Sequence, residues 1–317
     1  MGKESYDESP DVTSNKVASI IPFRDLEPSW HVSSAKIPGF MRWLISWVGG
    51  PAGYVNPSLG RAVTGENIGV GYMYLPIGQR QEGLHYHSIT EIYIILKGHV
   101  QSYDADGGSH LAGPMDCIYI PKGVPHGVRN CGFEDVELVW LHDGIEAKGV
   151  TVYCNTQEEL DRAPSRDPIL TVSLKDLDPS WAAPRAKEPE FLRWSVNWVG
   201  GDKGFLDLNP GVSVVSDKLA LGMTTVLPGH KQVPHSHETA EVYIVVGGKG
   251  IVNLGKGNQE VGYLDGLYFP PGTPHCLRNH GSEPLLIVWA LERPERKGAV
   301  KYYDACGNVL VQTNGTH

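Results

Sequence analysis

Several things are missing from this 317-residue chain, and each absence removes a class of function. No stretch of 18 apolar residues occurs, so no helix is expected to span a membrane. No basic run or basic helix occurs either. With 27 Lys and Arg against 36 Asp and Glu the net charge is −9, which argues against nucleic-acid binding. Cysteine is scarce: Cys117, Cys131, Cys154, Cys276 and Cys306 are odd in number and show no CxxC spacing. No apolar segment follows a basic start at the N-terminus, so a reducing, cytoplasmic setting is expected and the sequon Asn314-Gly315-Thr316 carries no meaning. Cys117 and Cys276 lie near the motifs below in non-equivalent positions, and both read as packing residues. The central regions also lack a 3.6-residue apolar period. Gln157 to Arg162 alone suggests a short helix.

What is present comes twice. Trp30, Trp43, Trp47 and Trp140 recur as Trp181, Trp194, Trp198 and Trp289, with an offset of 151 residues at the start and 149 at the end. A solenoid unit would repeat every ~20–50 residues, so this is a duplicated domain. Residues 1–16 are polar and read as a disordered tail, 17–160 as the first domain and 161–317 as the second, with the linker at Asn155 to Pro168. Phe40-Met41-Arg42-Trp43 matches Phe191-Leu192-Arg193-Trp194 in the Trp-rich openings. Glu91 to Leu96 and Glu241 to Val246 are β-branched runs ended by glycine, and Val136 to Leu141 and Leu285 to Leu291 are closing strands. With 38 Gly and 23 Pro between short strands, the expectation is an all-β sandwich or barrel in each half.

The same doubling holds for a set of metal-ligand residue types. His85 and His87, Glu91 and a distant His126 recur as His235, His237, Glu241 and His275. Alternate residues of a strand share a face, so each His-x-His pair points one way, ~7 Å apart at Cα. A short turn brings the Glu onto a neighbouring strand, and the last His arrives from a third. Three imidazoles and a carboxylate without thiolates suit a divalent metal with open positions: iron, manganese or nickel foremost, zinc, cobalt or copper as alternatives. An HxH pair by itself is more often a cross-strand His pair than a ligand set. Its recurrence with the same Pro-x-Gly-x-Pro-His-x-x-Arg-Asn segment favours metal.

These residues resemble the two-domain members of the cupin superfamily, the bicupins. The family's first motif, G(X)5HXH(X)3,4E(X)6G, is met throughout by Gly229, His235, His237, Glu241 and Gly248. The first copy has His85, His87, Glu91 and Gly98, but Gly78 lies one residue too far upstream, implying a longer loop. The second motif, G(X)5PXG(X)2H(X)3N, is matched by Pro121, Gly123, His126 and Asn130 and by Pro270, Gly272, His275 and Asn279. Its leading Gly is replaced by Met115 and Leu264, which puts the local turn shape in question. The resemblance implies two tandem double-stranded β-helix (jelly-roll) barrels, one metal in each, and a homodimer through sheet pairing.

Cupins with this ligand set span many reactions, so function is inferred from the site. The aromatic residues Tyr72, Tyr74, Tyr93, Tyr119 and Trp140, with Tyr243, Tyr268, Phe269 and Trp289, suggest an apolar cavity. The first expectation is therefore a dioxygenase acting with O2 on a small enolisable or phenolic substrate. The alternatives are a non-oxidative decarboxylase or isomerase/lyase on a small carboxylate, resembling oxalate decarboxylases but without their Ser-Glu-Asn-Ser-Thr-like lid segment, and a non-catalytic ligand-binding bicupin. Proton-moving candidates are Glu82, His230 and His142, the last replaced by Leu291 in the second copy. The loops before the first histidines also offer Arg80 and Lys231 for a substrate carboxylate. Arg129 and Arg278 are expected to turn away from the metal by strand parity.

Overall fold

Glu91–Lys97 explains why its sequence runs apolar without alternation: both of its faces are buried. Tyr93 and Ile95 enter the core of the first barrel, whereas Ile92 and Ile94 enter a core that also contains Trp198, Leu221 and Val242 from the other half. The computed structural model describes residues 16–30, 32–50, 61–146, 150–255, 257–304 and 307–310. All of the expected tail except Lys16, together with Cys306 and the sequon, lies outside the described residues.

Each half is a β-barrel whose main wall is a seven-stranded sheet. In the first the order is Leu170–Val172, Cys117–Ile120, Glu91–Lys97, Val136–His142, Gly69–Leu75, Trp43–Gly49 and Val63–Thr64. Its opposing sheet has five strands: Val152–Cys154, Leu84–Tyr86, His126–Asn130, Val100–Asp104 and Ser109–Ala112. The second barrel repeats this plan with Ser19–Ile21, Gly266–Phe269, Glu241–Gly247, Leu285–Leu291, Ala220–Val226, Arg193–Gly200 and Val214–Val215. There the opposing wall is divided into a two-stranded and a three-stranded piece.

The two halves exchange edge strands. Ser19–Ile21, from the start of the chain, pairs antiparallel with Gly266–Phe269 of the second barrel. Leu170–Val172, which follows the short helix Gln157–Asp161, pairs with Cys117–Ile120 of the first. The helix lies where expected and begins with a capping box between Thr156 and Glu159. Between the seven-stranded sheets lies a shared core with Trp47 and Trp198 fully buried, and the Trp47 indole donates to the Leu264 carbonyl at 3.0 Å.

Two glycines are dictated by tryptophans of the closing strands. A Cβ on Gly71 would lie 2.2 Å from the Trp140 ring, and one on Gly222 would lie 2.3 Å from Trp289. The turns led by Met115 and Leu264 keep the left-handed form despite the missing glycines, with φ of 65° and 68°. Left-handed backbone costs an L residue about 1–2 kcal/mol, set here against the packing of both side chains on the shared core. No described helix is long and apolar enough to cross a membrane.

Candidate metal centre

Pairing of Leu84–Tyr86 with His126–Asn130 sets His85 opposite His126. Glu91 begins its strand in the facing sheet, so the four side chains meet between the walls of the barrel. In each half, one donor atom from every ligand residue lies within 4.8 Å of the other three: His85, His87, Glu91 and His126, and His235, His237, Glu241 and His275. His126 Nε2 is 2.8 Å and His87 Nε2 3.3 Å from Glu91 Oε2, and the corresponding distances to Glu241 Oε2 are identical.

The outer ring nitrogens show that these clusters fit a cation. His126 and His275 donate from Nδ1 to the carbonyls of Val124 and Thr273, each at 2.9 Å. In the neutral ring that leaves the Nε2 lone pair aimed at a carboxylate oxygen, an arrangement a divalent metal between them satisfies. His87 Nδ1 contacts Glu146 Oε2 at 2.7 Å, and His237 Nδ1 contacts Glu295 Oε2 at 2.8 Å. Burial opposes charge on His87, but Glu91 and Glu146 outweigh it and raise the imidazole to about 9. Glu146, desolvated yet held by His87 and Ser88, is pushed down to about 2. Burial and the neighbouring imidazoles keep His85 and His235 well below the ordinary histidine value.

The copies differ at one of these supports. His235 Nδ1 donates to Val233 O at 2.8 Å, whereas His85 Nδ1 is buried with no partner among the described residues. Gln81 and Gln232 hold equivalent places, exchanging hydrogen bonds with Val128 and Leu277. Between Gln81 and His85 the first copy carries one more residue, and Gly83 there adopts φ 61°. This is the longer loop expected from the displaced Gly78.

Arg42 and Arg193 also line the two cavities, each only 4% exposed. Their guanidinium groups donate to the carbonyls of Phe40 and Phe191, and neither forms a salt bridge among the described residues. The sequence points to the loop residues Arg80 and Lys231 for such a cation. Arg80 instead is exposed and sits over the Phe40 ring, and Lys231 approaches Glu190 and the Phe191 ring. Arg42 and Arg193, like Glu146 and Glu295, were missed although they recur at the offsets of the tryptophans, 151 and 149 residues.

Of the three proton-moving candidates, His142 lines the first cavity, with Nε2 buried and 3.4 Å from Glu91 Oε1. Glu82 is exposed beside the Gly83 turn, and His230 accepts the Leu192 amide on Nδ1; neither lines a cavity. Among the aromatic residues Tyr93, Trp140, Tyr243 and Trp289 line the cavities. Tyr72 and Tyr268 have the opposite parity and belong to the shared core, where Tyr74 and Tyr119 also pack. Arg129 is exposed and donates to Gln101, as its parity predicts. Burial pushes the Cys117 and Cys276 thiols up, which suits packing residues.

The geometry defines a protein with two metal-binding β-barrels. Residues 71–142 and 222–291 each match the cupin domain family, so the chain carries two cupin domains in tandem. The structure of oxalate decarboxylase from Bacillus subtilis at pH 4.6 superposes with a TM-score of 0.59 at 18% identity, over 90% of this chain and 78% of that one. The Lactobacillus farciminis oxalate decarboxylase–formate complex gives 0.57 at 14% identity, over 89% and 87%. The Bacillus enzyme has manganese(II) centres. These likenesses establish the fold. An uncharacterized protein of Methanocaldococcus jannaschii is 38% identical over 72 residues, 22% of this chain and 58% of that relative's length. Each half of this chain thus offers a site for one divalent transition metal.

Proposed function

We propose that this bicupin is a cytoplasmic, manganese-dependent enzyme acting without oxidation on a small carboxylate, by decarboxylation or by an isomerase/lyase reaction. One observation carries this: a buried arginine with no acidic partner among the described residues faces each cluster of three histidines and a glutamate. A cation so placed costs free energy unless an anion joins it, and a guanidinium fork matches a carboxylate in two parallel hydrogen bonds. When bound, the metal supplies Lewis-acid stabilisation of charge developing on the substrate. Arg42 orients the carboxylate, while Gln81 and Tyr93, in contact at 3.5 Å, wall the cavity. His142 stands where a proton can be delivered in the first cavity, and Leu291 at the equivalent position cannot do this. The likeness to decarboxylases supports this reading over the dioxygenase expected first. The dioxygenase draws on the apolar wall of Leu44, Met73 and Trp140 in the first cavity.

The test is turnover of two- to four-carbon keto and dicarboxylic acids by manganese-loaded protein under argon and in air. Equal rates in both are expected, with Arg42→Met and Arg193→Met raising KM at least about tenfold through loss of a charged hydrogen-bond pair. Turnover that requires and consumes O2 would replace this reading with the dioxygenase.

A further inference from the structure

The two cavities share their metal ligands, arginine, glutamine and tyrosine, yet one patch of wall is opposite in polarity. In the first barrel Leu44 and Met73 are directly paired across neighbouring strands, and both line the cavity. In the second, Ser195 and Thr224 occupy the same paired positions and also line the cavity. The geometry points to two carboxylate sites of different specificity: the first takes an acid with an apolar substituent, the second an acid bearing a hydroxyl or carbonyl. This rests on the carboxylate reading above and adds to it a division of labour between the barrels.

The hydroxyl pair carries the argument. Ser195 Oγ and Thr224 Oγ1 lie 2.7 Å apart, and both residues are buried, at 6% and 7% exposure. Two hydroxyls sharing one bond still have a second O–H proton and spare lone pairs to place. A ligand oxygen in the cavity answers that need, and a methyl group leaves it unmet. Leu44 and Met73 offer nothing to a ligand hydroxyl, which would lose its water there without replacement. Sites built to hydrogen-bond a polar group discriminate strongly against ligands lacking it, whereas apolar pockets reward each added methylene by tenfold or more. The substitutions therefore favour opposite ligands on an otherwise common frame.

The experiment uses full-length, manganese-loaded protein with isovalerate and glycerate as probes, read by paramagnetic broadening of the probe protons. Wild type is expected to bind both without mutual competition. Leu44→Ser/Met73→Thr should weaken isovalerate at least about tenfold, and Ser195→Leu/Thr224→Met should do the same to glycerate. Met73→Thr and Thr224→Val serve if either double variant fails to fold, with the same directions expected. One-for-one competition between the probes, or Kd values within twofold of wild type in these variants, would overturn the division. If both probes bind and Arg42→Met and Arg193→Met weaken them, the carboxylate reading survives that result. Absence of binding by either probe, or indifference to both arginine variants, overturns the carboxylate reading and the division with it.

Discussion

Glu146 Oε2 lies 2.7 Å from His87 Nδ1, and its other oxygen accepts the Ser88 amide at 2.5 Å and the Ser88 hydroxyl at 2.8 Å. One carboxylate thereby fixes both the ring orientation of a metal ligand and the turn that follows it. Glu295 does the same in the second barrel, holding His237 and the Thr239 amide.

Glu146→Gln and Glu295→Gln should each weaken manganese at their own site by about 10–100-fold, the usual effect of losing a histidine's carboxylate partner. Titration against a competing chelator measures this. Wild-type affinity at both sites would mean that the contacts only shape the turns.

The unequal support of His85 and His235 orders the two sites. Glu91→Ala and Glu241→Ala should each lower bound manganese by about one equivalent, since each removes a direct ligand. The metal left in Glu91→Ala, held by His235 with its Nδ1 fixed on Val233, should resist chelation longer than that left in Glu241→Ala. Elemental analysis over a chelation time course reads both effects. Unchanged metal content in the two variants would refute the ligand assignment, and the reverse order of loss would refute the role given to Val233.

Gly71 and Gly222 admit no side chain. A Cβ on Gly71 would meet the Trp140 ring at 2.2 Å and the Ile45 carbonyl at 2.4 Å, and backbone cannot step aside as a flexible chain can. Gly71→Ala should cost about 3 kcal/mol, at the upper end for overpacking a well-filled interior. Thermal or denaturant unfolding checks this. A loss below about 1 kcal/mol would show that Trp140 can turn away, in which case the shape of the first cavity must change with it.

The ligands were legible because duplication repeats them and strand parity turns both histidines of each pair to one side. His142 stood out by its place at the end of a closing strand, where the second copy has Leu291. The second rank of residues was less visible. Arg42 and Glu146 lie outside the motifs, and their roles depend on where loops and the first strand return to the barrel. The aromatic residues misled for a related reason. With both faces of the main sheets buried, composition does not reveal which face holds a cavity, so Tyr72 and Tyr268 read like Tyr93. Nor could sequence foresee that Met115 and Leu264 would keep a glycine's backbone conformation.

Glu292 tests the contact between the halves. It follows the closing strand of the second barrel, and Asn67 of the first approaches its carboxylate at 3.4 Å. Burial raises this carboxyl above its ordinary value of 4.5; Asn67 and the Ala240 amide pull against it without cancelling it, and Glu66 adds a smaller upward push. The folded chain therefore holds the Glu292 proton more tightly than the unfolded chain does. Its contribution to stability is most favourable below about pH 4.5, declines as pH rises through the raised folded value, and is a constant cost above it. Glu292→Gln keeps the hydrogen-bonding shape and removes the charge. It should be more stable than wild type at pH 7 to 8, with the advantage fading towards pH 4.5. Denaturant midpoints across that range decide the matter. A gain of equal size at every pH would mean that the substitution acts through packing rather than through the buried charge.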